Sequence, residues 1–93
     1  MRVKFKSFGP IRRALDSQVL IVDVPDGSTI RDVIDRVLEI GGTELEQIVM
    51  EGDRISGNLI IMLNKKDVAT LDGEDTAVSH DDEIAMLPHV QGG

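Results

Sequence analysis

Residues 28–42 read "STIRDVIDRVLEIGG". Ile30, Val33, Ile34, Val37 and Leu38 recur at i, i+3, i+4, i+7 and i+8, which places them on one stripe of an α-helix. Arg31, Asp32, Asp35 and Arg36 cover the opposite, wet face. Ser28 or Thr29 can cap the start. With Thr29 as the cap, Asp32 falls in the first turn, where the helix dipole favours an acid. Gly41-Gly42 ends the helix, because glycine takes the left-handed cap conformation without a steric cost. One apolar stripe needs one partner surface, and the flanking residues supply strands to make it.

On the N-terminal side, "MRVKFKSF" (1–8) alternates. Val3, Phe5 and Ser7 share one face of a strand; Arg2, Lys4, Lys6 and Phe8 share the other. Gly9-Pro10 stops it. "IRRALDSQ" is a connection with about one helical turn, "VLIVDV" (19–24) is a second strand, and "PDG" (25–27) is a turn. On the C-terminal side, "TELEQIVM" (43–50) reads equally as a short helix or a strand, and "EGDRISGN" (51–58) as a loop. "LIIML" (59–63) is apolar at every position, as in a strand covered on both faces or one bearing an interaction surface. "NKKD" is a turn, and residues 68–82 are a turn-rich excursion with little periodicity. "EIAML" (83–87) is the last strand, and Pro88 ends it for want of an N–H. The class is α+β, a small sheet with one main amphipathic helix across one face.

Composition narrows the function. Ninety-three residues make one domain. The chain has no Cys, which excludes disulfides, thiolate catalysis and Cys-ligated zinc. The longest apolar run, 59–63, is far too short to span a bilayer, and no long apolar stretch follows Arg2, Lys4 and Lys6 as in a signal peptide. The expectation is a cytoplasmic protein that does not associate with membranes. With 17 acids against 10 bases the net charge is −7, and Phe5 and Phe8 are the only aromatics, so a nucleic-acid partner is not expected.

The signatures of catalysis are missing: no Walker loop, no G-x-G-x-x-G, no H-E-x-x-H and no nucleophile elbow. His80 and His89 lie in loop-like segments near Asp81 and Asp82, but acidic turns are ordinarily solvated, and the calcium-loop spacing is not there. No bound metal is expected. The chemistry is left to the end of the chain, "PHVQGG" (88–93). Proline starts it stiffly, and two residues without Cβ finish it, so it can thread a channel too narrow for side chains. The plainer alternative is a frayed terminus.

"LNKKDVATLDGEDTAVSHDDEIAMLPHVQGG" (63–93) resembles the C-terminal half of the ubiquitin-like sulfur carriers of the MoaD and ThiS type and of the small archaeal ubiquitin-like modifiers. Asn64, Leu71-Asp72-Gly73, Asp81 to Glu83, Pro88, Val90 and Gly92-Gly93 carry the likeness. "VKFKSFGPIRRAL" and "VPDGSTIRDVIDRVL" extend it over nearly the whole chain. His89 departs from it, standing where the family usually has a second proline. So does "IAMLP", which replaces a more aromatic strand end.

The resemblance implies a ubiquitin-like β-grasp fold over residues 1–88, with the first and last strands adjacent and parallel, and a flexible Gly-Gly tail over 89–93. It implies that the chain is a carrier and not an enzyme. An adenylating enzyme would use ATP-Mg to activate the Gly93 carboxylate, next to Gly92, with no cofactor stably bound to the carrier. A sulfur donor would make a thiocarboxylate for molybdopterin synthesis or tRNA thiolation, with the large subunit of molybdopterin synthase as one partner. Lysines of target proteins would instead take the activated carboxylate into an isopeptide bond. The strand phase puts Phe8 and Leu87 together on the outer face beside Lys4 and Lys6, and with Pro88 and Val90 these form the expected partner-binding set. A β-grasp interaction module without C-terminal chemistry is the other reading.

Overall fold

The structure, a computed structural model, describes residues 1–89. Its elements are β1 (Arg2–Ser7), α1 (Gly9–Leu15), β2 (Val19–Asp23), α2 (Ile30–Val49), β3 (Met50–Glu51), β4 (Arg54–Ile55), β5 (Leu59–Leu63), β6 (Lys66–Asp67) and β7 (Glu83–Pro88). Two 3₁₀ turns, Val68–Thr70 and Gly73–Asp75, precede β7. Five strands form a mixed sheet in the order β2-β1-β7-β5-β6. β1 and β7 run parallel, with Phe5 beside Ile84 and Ser7 beside Met86. The other neighbours in the sheet are antiparallel. The last strand is therefore the middle of the sheet, held by β1 on one edge and β5 on the other.

The alternation in β1 holds. Val3, Phe5 and Ser7 are buried, and Arg2 and Lys4 are exposed. Ile61, Leu63, Ile84 and Met86 join the buried face from β5 and β7. α2 lies across it and buries Ile30, Val33, Ile34 and Val37, with Leu38 packed half-buried at the margin. Each such side chain contributes about 1.5–3 kcal/mol relative to exposure.

Thr29 is the cap, as one of the two expected choices. Its hydroxyl accepts from the Asp32 N–H, and the Asp32 carboxylate accepts from the Thr29 N–H at 2.9 Å, closing a capping box. The other choice, Ser28, is buried and donates its hydroxyl to the Pro25 carbonyl in the preceding turn.

The two glycines of the opening stretch act for different reasons. Gly42 sits at φ 74°, where the helical path breaks. Gly41 provides room: a Cβ there would lie 2.5 Å from Leu45 Cδ2 and 2.8 Å from Leu45 Cβ. The helix resumes after the break and delivers Leu45 and Val49 to the core, which resolves "TELEQIVM" as helix.

Three segments are more ordered than the sequence suggested. α1 makes about two turns instead of one, started by Pro10 in its first turn and anchored by buried Ile11. "EGDRISGN", with Met50 before it, forms the two-stranded ribbon β3–β4, in which Met50 stands opposite Ile55. "NKKD" is a hairpin turn with Asn64 at φ 50° and Lys65 at φ 71°, and Lys66–Asp67 pair back as β6. Arg31, expected on the wet face, is half-buried. It donates to Glu74 at 2.8 Å and to Asp35 at 2.9 Å, tying α2 to the second 3₁₀ turn. Among the described residues no helix is long and apolar enough to cross a membrane.

Candidate functional site

The outer face of the sheet, away from α2, carries the residues expected to bind partners. Phe8 caps the N-terminus of α1 with extended backbone and is 37% exposed. The parallel register places it just beyond Ser7–Met86, next to Leu87. Phe8, Leu87, Ala85 and Met62 line a shallow depression of about 240 Å³, with Lys6, Lys65 and Glu83 at its rim. The Arg12 guanidinium lies 5.7 Å from the centre of the Phe8 ring, within the range of a cation–π contact, and its Nε donates to the Ser7 carbonyl. Lys6 Nζ lies 2.9 Å from Glu83 Oε1. That hydrogen bond holds the Glu83 carboxyl below its usual range, with the charges of Lys6, Lys65 and Lys4 adding to it.

Of the expected residues, Phe8, Leu87 and Lys6 come together directly. Lys4 stands on the same face, opposite Glu83 in the register but outside the depression. Pro88 ends β7, opposite Leu59. The chain stays tied to the sheet for one more residue, since the His89 N–H donates to the Asn58 carbonyl at 2.7 Å. Val90, Gly92 and Gly93 lie outside the described residues.

Sequence reasoning missed Met62, Lys65, Arg12 and Glu83 as neighbours of Phe8. Met62 was not legible, because "LIIML" is apolar at every position and carries no phase; burial of Ile61 and Leu63 turns it outward. Lys65 and Arg12 arrive through turn and helix geometry that no periodicity encodes. Asn64 has a clear structural part. Its side chain donates to Asp82 Oδ1 and accepts the Glu83 N–H, each at 2.9 Å, fixing the start of β7.

His80 is also placed: its Nδ1 accepts the Arg2 N–H at 3.0 Å. Among the described residues no group of three or more His, Asp or Glu side chains is arranged to hold a metal ion.

A five-stranded mixed sheet with parallel first and last strands, crossed by one main helix, is the ubiquitin-like β-grasp architecture. Comparison with known proteins agrees. The ThiS family model matches residues 6–93, and the chain belongs to that family. It is 27% identical to small archaeal modifier protein 3 of Haloferax volcanii over 93 residues, spanning both chains entirely. Over 65 residues it is 31% identical to a putative sulfur carrier protein of Archaeoglobus fulgidus, covering 70% of this chain and 74% of that one. The crystal structure of SAMP1 from Haloferax volcanii covers the whole of both chains with a TM-score of 0.88 at 23% identity. The protein is thus a ubiquitin-like carrier or modifier, acted on by other enzymes and not itself a catalyst.

Proposed function

We propose that this chain is activated at the Gly93 carboxylate by an adenylating enzyme that docks on the Phe8–Leu87 face. The observation that carries the reading is the placement of β7. This central strand contributes Ala85 and Leu87 to the outer depression and runs directly into the segment that ends in Gly92-Gly93. One rigid strand thus couples the docking surface to the reacting end. A partner that grips the face holds the start of the tail at a fixed distance from its own active site.

The chemistry follows from the carboxylate. An oxygen of Gly93 attacks the α-phosphorus of ATP, pyrophosphate leaves with its magnesium, and a mixed acyl-phosphate anhydride forms. The carbonyl is then electrophilic, because AMP is a good leaving group. A sulfur nucleophile from a donor displaces AMP to give the thiocarboxylate. A lysine amine instead gives an isopeptide and releases a proton. The first route serves sulfur transfer, in molybdopterin synthesis with the large synthase subunit as partner or in tRNA thiolation, and the second serves protein modification. The carrier supplies the reacting group and the docking face, with no cofactor of its own.

The test is ATP–pyrophosphate exchange with the adenylating enzyme of the same organism. The intact chain supports exchange, and a chain lacking Gly92 and Gly93 supports none while keeping its circular dichroism spectrum. Exchange by the shortened chain contradicts activation at Gly93, and no exchange by the intact chain leaves the interaction module without C-terminal chemistry. A Gly-Gly remnant on lysines of other proteins, after proteolysis of tagged material from the native cell, favours the modifier. Loss of molybdenum-enzyme activity on deletion of the gene, without such remnants, favours the sulfur carrier.

A further inference from the structure

The chain is acidic, yet its outer sheet face is not. Arg2, Lys4 and Lys6 project from β1 on that face, Lys65 stands at the rim of the depression, and Arg12 covers Phe8. Three strand carboxylates share that face: Glu83, Asp23 and, by its pairing with outward Met62, Asp67, which accepts the Ala69 N–H at 2.9 Å. Glu83 is taken by Lys6 at 2.9 Å, and Asp23, on the edge strand β2, lies 3.6 Å from Arg2. Among the described ion pairs, Lys4, Lys65 and Arg12 have no carboxylate within 4 Å. The acids gather on the other side. Asp26, Asp32, Asp35 and Glu39, with Asp23 at the sheet edge and Arg36 as the one base, line the concavity beside the first turns of α2. With 17 acids against 10 bases, a basic apolar hollow on one face is a segregation of charge, not an average of the composition.

We infer that the partner surface received by this face is acidic: an apolar side chain that fills the Phe8–Met62–Leu87 hollow, ringed by carboxylates that pair with Lys4, Lys65 and Arg12. The inference rests on the reading of this face as the docking site and adds the chemistry of what docks. Complementary charge around an apolar centre sets orientation and suppresses wrong partners. The face also suits a protein better than a nucleic acid. Glu83 stands among its lysines, Phe8 is its one aromatic platform, and the chain carries a net charge of −7.

Charge reversal on the two faces separates local pairing from net charge. Lys66 pairs with buried Leu63, so it belongs to the face opposite the depression. Lys66→Glu therefore changes the net charge as much as Lys4→Glu or Lys65→Glu without touching the rim. The probe is the purified adenylating enzyme of the same organism, with affinity measured by calorimetry. The expected result is at least ~10-fold weaker binding for Lys4→Glu and Lys65→Glu, and a change within about 2-fold for Lys66→Glu. Lys65→Gln, which keeps the hairpin turn without the charge, is expected to fall between wild type and Lys65→Glu.

Equal effects on both faces, or none on either while Phe8→Asp still abolishes binding, overturn the acidic-partner inference and leave the docking face standing. Unchanged binding by Phe8→Asp removes the docking face itself. Binding of a single-stranded oligonucleotide by wild type at physiological salt, lost in Lys4→Glu, assigns the rim to nucleic acid and overturns the inference. A reversal that lowers the melting temperature is judged on Lys65→Gln alone, where wild-type affinity is the contradicting result.

Discussion

Phe8 and Phe5 are the two aromatics of the chain, and their fates differ for a simple reason. Three positions separate them on a strand of period two, so Phe5 enters the core and Phe8 leaves it. Phe8 is over one-third exposed, and its contact with Arg12 is a surface contact. Phe8→Asp is therefore expected to weaken docking by more than ~2 kcal/mol in a desolvated interface centre while barely moving the melting temperature. Leu87→Asp should act in the same direction with a larger loss of stability, since Leu87 is half-buried. Calorimetric affinity read beside thermal unfolding checks both.

The Lys6–Glu83 pair gives a prediction in pH. The folded-state pKa of Glu83 is lowered by the Lys6 hydrogen bond, so its contribution to stability is present above the ordinary glutamate pKa. It is lost as the pH falls through the lowered folded value. In Lys6→Met the Glu83 carboxyl should titrate closer to the ordinary value, and the acid side of the stability profile should flatten. Carbon-detected NMR titration of the carboxyl reads this. An unmoved Glu83 would show that Lys4 and Lys65 carry the shift.

α2 was the most legible part of the chain, because its apolar stripe, cap and breaking glycines agree with one another. Thr29→Ala removes one half of the capping box and should cost about 1 kcal/mol. Gly41→Ala forces a methyl into Leu45, which is fully buried, and should cost about 1–3 kcal/mol by overpacking. Gly42→Ala meets no atom within 4 Å, so its cost comes from the backbone alone: φ 74° with ψ −162° is nearly confined to glycine, and an alanine there should cost about 1–3 kcal/mol. Chemical denaturation of the three variants measures these costs. A loss near zero for Gly41→Ala would mean that crowding against Leu45 is not what selects Gly41. The segments around α2 were less legible for identifiable reasons. "TELEQIVM" lacks a period because the break at Gly42 restarts the helical phase. β3, β4 and β6 are two residues each, too short for any alternation to register. Arg31 looked solvated because its partner Glu74 is 43 positions away.

The partition of faces was visible in outline from the phases of β1 and β7. The rim of the depression was not, since Arg12 comes from α1 and Lys65 from a hairpin turn. Charge makes the same division across the folded chain, with cations around the outer depression and carboxylates beside α2. The buried cluster is built from residues 3–86, so removal of Gly92 and Gly93 is expected to leave the midpoint of unfolding unchanged. A large shift would show that the end packs on the domain. The role of that end is best decided by intact-protein mass spectrometry of the carrier after incubation with its adenylating enzyme, ATP-Mg and a sulfide source. The expected result is a mass gain equal to one oxygen replaced by sulfur, confined by fragmentation to Gly93 and dependent on ATP. An unchanged mass under conditions where the enzyme activates another carrier, or a modification placed elsewhere on the chain, would contradict activation at Gly93.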